Sequence, residues 1–221
     1  MKEINDQFPV KPEQYREYQL LDFAKEYSRL MLLYESGIRQ IVTKFEILNN
    51  EYKAVGVRNP IESIKSRLKT PNSISAKLRR KELPLTASSI RENIHDVAGV
   101  RIICSYVSDI YALRDMLLCN KDVRLIREKD YIKNPKPNGY RSLHLVVETM
   151  LCMSSGDYPV RVEIQFRTIA MDFWASLEHE IRYKSSDSIP QNVQEDLTEC
   201  AEIIALTDKR MERIRKQVDN L

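Results

Sequence analysis

The segment PVRVEIQFR, residues 159–167, alternates strictly: Val160, Val162, Ile164 and Phe166 fall on one face of a strand, Arg161, Glu163, Gln165 and Arg167 on the other. An edge strand with a solvated face would read the same way. A second acid, Asp96, stands at the mouth of an apolar run, residues 97–104, whose composition suits a central strand. Open sheets often present ligand-binding groups at strand ends, although a lone acid there can be a cap. Two strand-borne carboxylates with cations on other segments are the ingredients of Mg²⁺-assisted phosphoryl-group transfer: hard oxygen ligands for the metal, positive charge for the phosphates.

The cations come from two places. Between Arg58 and Lys81 there are eight basic residues against one acid, and SRLKTPNSISAKLRRK supplies Arg67, Lys69, Lys77, Arg79, Arg80 and Lys81. Consecutive helical positions 79–81 cannot all face one way, so part of this charge is solubilising surface. The loop KNPKPNGYRSLH joins two stiffening prolines and a glycine to Lys133, Lys136, Arg141 and Tyr140. A stacked purine beside bound phosphates would use all of these; a hairpin turn with a packing tyrosine is the plainer account.

Such residues need a scaffold. Apolar and β-branched runs at 61–68, 97–104, 123–132, 143–149 and 159–167 read as strands, with a hairpin turn at 154–158. Between them lie a helix after Ser108, in DIYALRDMLL, and a shorter one holding Ser88 and Ser89 and ending near His95. Interleaving around one sheet makes the class α/β or α+β with a mixed sheet. Ala24, Tyr27, Met31, Tyr34, Ile38, Ile41, Phe45, Leu48 and Tyr52 step by three and four, predicting a long helix over 13–52. After the breaker Pro190, the positions Val193, Leu197, Cys200, Ile204, Thr207, Met211, Ile214, Val218 and Leu221 do the same, predicting a helix over 190–221. Either seam suits core packing or a subunit interface, since heptad spacing alone does not separate the two.

A chain of 221 residues with 43% hydrophobic content builds one core. The net charge of +3 is too small for general nucleic-acid binding. Cys104, Cys119, Cys152 and Cys200 form no CxxC pair, which leaves reduced thiols as the default. The N-terminus has no apolar signal-like stretch, and no run approaches the roughly 20 apolar residues that span a bilayer, so a soluble cytoplasmic protein is expected.

Taken together and in order, HDVAGVRIICSYVSDIY, DYIKNPKPNGYRSLHL and VEIQFRTIAMDFWASLEHEI closely resemble the synthetase domain of the RelA/SpoT homologue family. The resemblance is strong over residues 60–184 and looser in the flanking helices. With helices at both ends instead of hydrolase or regulatory domains, the chain looks like the small alarmone synthetases, most like their RelP branch. The resemblance implies an α+β fold, a mixed sheet of about five strands with long terminal helices, and one synthetase domain over 1–221 with its catalytic core at 58–184. It further implies transfer of pyrophosphate from ATP to the 3′-hydroxyl of GDP or GTP, with AMP released, Mg²⁺ as cofactor and commonly a homotetramer.

On matching positions, Arg67 and Arg101 resemble the pair that sandwiches adenine, and Lys69, Lys77 and Ser108 the contacts to ATP phosphates. Guanidinium planes suit stacking, and ammonium groups suit phosphate. Asp96 and Glu163 match the Mg²⁺ carboxylates, Glu163 also the group that takes the hydroxyl proton. Tyr140 matches the residue stacked on guanine, with Lys136, Asn138, His144 and Gln165 around the acceptor. His95 and His179 are expected to be structural, and Trp174 a helix-to-sheet packing anchor. Two alternatives stand beside this. A toxic pyrophosphokinase acting on the tRNA 3′ end would share donor site and metal, but the intact KPNGYRSLH loop favours a nucleotide. A regulatory RNA-binding protein using residues 58–81 would leave every matched catalytic position without a purpose.

Overall fold

The computed structural model describes residues 12–184 and 189–220; the seam position Leu221 and residues 1–11 of the N-terminal segment lie outside the described residues. The chain runs α1 (Pro12–Val55), β1 (Ile61–Leu68), α2 (Pro71–Arg80), α3 (Ala87–Asn93), β2 (Ala98–Cys104), α4 (Val107–Leu118), β3 (Val123–Asp130), β4 (Leu143–Met153), β5 (Gly156–Thr168), α5 (Ile169–Lys184) and α6 (Gln191–Val218). The five strands form one sheet in the order β1-β2-β5-β4-β3. β2 and β5 are parallel, and the other neighbours are antiparallel, so the sheet is mixed and the fold is α+β as expected.

Alternation decides which face is buried. Val160, Val162, Ile164 and Phe166 of β5 join Val100, Ile102 and Cys104 of β2 and Leu143, Leu145 and Val147 of β4 in one core. Above them lie Leu33, Tyr34, Ile38, Ile41 and Phe45 of α1, with Ile110, Leu113 and Leu117 of α4. Gly37 allows α1 to approach closely, because a Cβ there would stand 2.8 Å from Val160 Cγ1. The middle of the N-terminal seam, Tyr34, Ile38, Ile41 and Phe45, is thus buried against the chain's own sheet, and Phe45 meets Phe166 edge-on at 5.8 Å. Thr70 and Thr86 cap α2 and α3 by accepting the Ser73 and Ser89 N–H groups.

The C-terminal seam behaves differently. α6 turns Leu197, Ala201, Ile204 and Asp208 inward, while Cys200, Thr207, Met211, Ile214 and Val218 of the predicted seam are exposed. Polar ties set this phase: Thr168 donates to Asp208 at 2.7 Å, the Ser108 N–H to Glu212 at 3.2 Å, and Arg215 reaches Asp109 at 3.3 Å. Trp174 packs with Ala175 and Ala201 between α5 and α6 and donates to the Leu197 carbonyl at 2.8 Å. It is a helix-to-helix anchor, which corrects the helix-to-sheet expectation. His179 is exposed on α5, so the structural role expected for it has no packing behind it. Among the described residues no helix is long and apolar enough to cross a membrane.

The α1–β5 contact is the centre of the core, and its loss should be costly. Phe45→Ala is expected to lower stability by about 3–5 kcal/mol, read as a reduced urea midpoint in far-ultraviolet circular dichroism.

Candidate active site

The polar face of the sheet is the one that α1 leaves open. Register places Lys65 beside Arg101, Arg67 beside Gly99, and Gly99 beside Glu163 across three neighbouring strands. Gly99 has no side chain to fill this point, and a cavity of about 210 Å³ opens there, lined among others by Arg67, Asp96, Arg101, Glu163 and Gln165. Asp96 enters from the turn before β2, at hydrogen-bond reach of two cations: Lys69 Nζ lies 3.1 Å from Oδ2 and Lys77 Nζ 2.8 Å from Oδ1. Burial pushes the Asp96 carboxyl up, but Lys77 and Lys69 outweigh it and hold the group below its ordinary value. Ser73 sits one helical turn before Lys77 on α2, where its hydroxyl accepts from Thr70 Oγ1 at 2.9 Å.

Glu163 is the meeting point of two halves. Its Oε2 accepts from Gln165 Nε2 at 2.9 Å, and its Oε1 lies 3.7 Å from His144 Nδ1. Burial raises its pKa, while His144 and then Gln165 lower it, and the net value lies below the usual glutamate range. At neutral pH it is therefore ionised. Its side chain and that of Asp96 keep 19% and 20% exposure, enough for a ligand to reach both.

On the other side of His144 stands the loop between β3 and β4. Tyr140 Oη pairs with His144 Nε2 at 2.8 Å and accepts from Arg167 Nη2 at 2.9 Å. Lys136 Nζ and the Arg167 guanidinium lie 4.8 and 5.2 Å from the Tyr140 ring centroid. A base stacking here would displace the exposed Lys136 from the ring. Asn138 donates to Glu178 of α5 at 3.1 Å and accepts the Tyr140 N–H at 3.3 Å. Gly139 closes the turn at φ 82°, where an added Cβ would stand 2.5 Å from Ala201 of α6.

The structure thus gathers Arg67, Lys69, Lys77, Asp96, Arg101 and Glu163 around one opening, with Gln165, His144, Tyr140, Lys136 and Asn138 leading away from it. Ser108 is not among them. It begins α4, beyond the opposite end of β2 from Asp96, where its hydroxyl accepts from Arg215 at 2.9 Å and it lines a separate hollow of about 490 Å³ between α4 and α6. Local sequence put it next to a helix start, but strand direction carries it about 20 Å from Asp96 over the length of β2. Sequence reading also passed over Asp172, in the first turn of α5, which is 8% exposed and pairs with Lys65, Arg101 and Arg167. Its local signal in the sequence is a carboxylate two residues before Trp174.

Among the described residues no three His, Cys, Asp or Glu side chains cluster as metal ligands. Two carboxylates on one cavity nonetheless fit Mg²⁺, which takes one or two protein oxygens and completes its shell with water and phosphate. Asp96 would exchange its ammonium partners for the ion, leaving Lys69 and Lys77 for phosphate.

Known proteins resemble this chain in sequence and in fold. Residues 66–188 match the family model described as the region found in RelA / SpoT proteins. The GTP pyrophosphokinase YwaC of Bacillus subtilis strain 168 is 46% identical over 195 residues, covering 88% of this chain and 93% of that protein. The crystal structure of small alarmone synthetase 2 from Bacillus subtilis superposes with a TM-score of 0.79 at 45% identity, over 87% of this chain and 99% of that one. Small alarmone synthetase 1 from the same organism, bound to its product pppGpp, gives 0.81 at 38% identity, over 88% and 98%. With the motif order, the mixed sheet and the paired carboxylates, these likenesses establish that the chain belongs to the RelA/SpoT family, as one of its small alarmone synthetases.

Proposed function

We propose that the chain is a GTP pyrophosphokinase that moves the β,γ-pyrophosphoryl group of ATP to the 3′-hydroxyl of GDP or GTP, forming (p)ppGpp. The observation that carries this is the position of Glu163: it lines the cavity of Arg67, Asp96 and Arg101 and is linked through His144 to Tyr140. A donor held in the cavity and an acceptor held by the loop would meet at its carboxylate.

Each group has a physical task in this reading. Arg67 and Arg101 offer guanidinium planes to adenine, and Lys69 and Lys77 offer ammonium charge to the ATP phosphates. Tyr140 offers its ring to guanine once Lys136 moves to a phosphate, while Asn138, His144 and Gln165 bound the acceptor. The 3′-oxygen attacks the β-phosphorus, the α–β bridging P–O bond breaks, and AMP leaves with the bridging oxygen. The hydroxyl proton passes to Glu163, which the His144 and Gln165 contacts keep ionised and ready to accept it. Mg²⁺, held by Asp96 and Glu163, would supply positive charge to the phosphoryl oxygens. Four free cysteines suit a reducing cytoplasm.

We also infer assembly into a tetramer. Ile169, Phe173, Leu177 and Ile181 recur every four residues along α5 and are 51%, 61%, 44% and 37% exposed. Ile203, Met211, Ile214 and Val218 extend apolar surface along α6. Patches of this kind are ordinarily covered by closed symmetric association. α1 contributes less than its periodicity suggested, because its seam faces the sheet.

Four measurements test these readings. Glu163→Gln is nearly isosteric and should lower turnover by about 10² or more with an unchanged circular dichroism spectrum; nucleotide chromatography after incubation with ATP, Mg²⁺ and GDP or GTP reads it, and activity within tenfold of wild type would remove the base role. Radiolabelled ATP offered in parallel with tRNA checks the acceptor class. Tyr140→Ala should raise the guanine-nucleotide KM by about 5- to 150-fold, the loss of one stacked base, with the ATP KM nearly constant; equal effects on both would reassign the loop. Light scattering at micromolar concentration should give four times the 25.9 kDa chain mass, whereas a mass near one chain would leave the α5 and α6 stripes uncovered.

A further inference from the structure

Asp172 has no part in the reaction as described above, yet it holds more of the polar face than any residue that does. It lies in the first turn of α5, and its carboxylate is reached by cations from three different strands. Oδ1 accepts from Arg101 of β2 at 3.1 Å and from Arg167 of β5 at 2.9 Å, and Oδ2 from Lys65 of β1 at 3.2 Å. Burial pushes this carboxyl up, and Lys65, Arg101 and Arg167 together pull it below the usual aspartate range, so it is charged at neutral pH.

Two of these partners lead in opposite directions. Arg101 lines the cavity with Arg67, Asp96 and Glu163. Arg167, 5% exposed, uses its other terminal nitrogen on Tyr140 Oη at 2.9 Å and lies over the same ring. Tyr140 then meets His144, and His144 meets Glu163. A continuous polar chain therefore joins the donor cavity to the acceptor loop, and its middle is one carboxylate. Removing the charge would leave two guanidinium groups that repel each other at close range in a poorly solvated place, with burial and Arg167 already depressing the Arg101 pKa.

We propose that Asp172 is the positioning residue that sets the two substrates relative to one another: it orients Arg101 for the donor and Arg167, and through it Tyr140, for the acceptor. This rests on the pyrophosphokinase reading for the identity of the two ligands. A side chain that served the donor alone would leave the acceptor site untouched, and one that only stabilised the fold would change both sites no more than it changed stability. The chain of contacts instead makes the two affinities depend together on one carboxylate.

Asp172→Asn keeps size and one acceptor oxygen and removes the charge. It is expected to raise the ATP and the guanine-nucleotide KM together, each about tenfold, and to lower kcat, since small misplacements of reacting groups are costly. Tyr140→Ala should disturb the guanine side alone, and Arg101→Ala the ATP side alone. Asp172→Glu, which keeps the charge that three cations need, should recover part of both affinities. The same comparison is made at equilibrium by calorimetry, with a non-hydrolysable ATP analogue and with GDP as separate probes. Weakening of one probe only, or of neither, or an Asp172→Glu variant no better than Asp172→Asn at equal melting temperature, would overturn the proposal. If wild type binds both probes but transfers no pyrophosphate, the function fails while the binding comparison still judges the coupling. If Asp172→Asn does not fold, Asp172→Glu carries the test: both affinities must weaken together for the proposal to stand.

Discussion

β5 carries Val160, Val162, Ile164 and Phe166 into a core with α1, and the same backbone must present Glu163, Gln165 and Arg167 to the opposite face. Side-chain direction in a strand has a period of two, so a slip of one residue would bury the charges and expose the apolar set. The register to β2 and β4 is therefore tied to hydrophobic burial, and that register brings Gly99, Arg101 and His144 against the polar side of β5. The site depends on the core in this direct sense: the free energy that fixes Glu163 in space comes from its apolar neighbours in sequence.

What the core positions, electrostatics must then reconcile. Lys65, Arg67, Lys69, Lys77, Arg101 and Arg167 share one open face, and three carboxylates are interleaved with them. Asp96 sits between two lysines, Asp172 among three cations, and Glu163 beside His144. Burial alone would raise the pKa of each of these acids; their partners keep all three below ordinary carboxylate values. A group whose pKa is depressed by folding adds stability above its unfolded value and loses it as pH falls through the folded one. These acids therefore stabilise the fold throughout the neutral range while leaving cations available to an anionic substrate.

The helices that flank the face also bear on it. α6 presses Ala201 against Gly139, and its Ala201 carbonyl accepts from Arg141 at 3.1 Å, so the loop holding Tyr140 is seated from behind. Further along, Arg215 and Arg58 converge on the buried Asp109, and both guanidinium groups lie over the Tyr106 ring, at 5.2 and 5.1 Å from its centroid. The C-terminal helix is thus joined to the start of α4 by charge as well as to α5 by apolar contact, and displacement of α6 would be felt at the acceptor loop.

Much of this was readable from residues alone. The strict alternation at 159–167, the apolar run at 97–104 and the seam of α1 are short-range periodicities, each reporting one buried face, and the structure buries those faces. Asp96, Glu163 and Tyr140 stood out because their chemistry lies inside unbroken local motifs. The phase of α6 did not, because its inward face is Asp208, Glu212 and Arg215 as well as Ala201 and Ile204, and apolar spacing cannot register polar docking. Ser108 was misplaced and Asp172 overlooked for a related reason. Which charge meets which depends on strand order and direction, and only the completed sheet sets Lys65, Arg101 and Arg167 side by side beneath the first turn of α5.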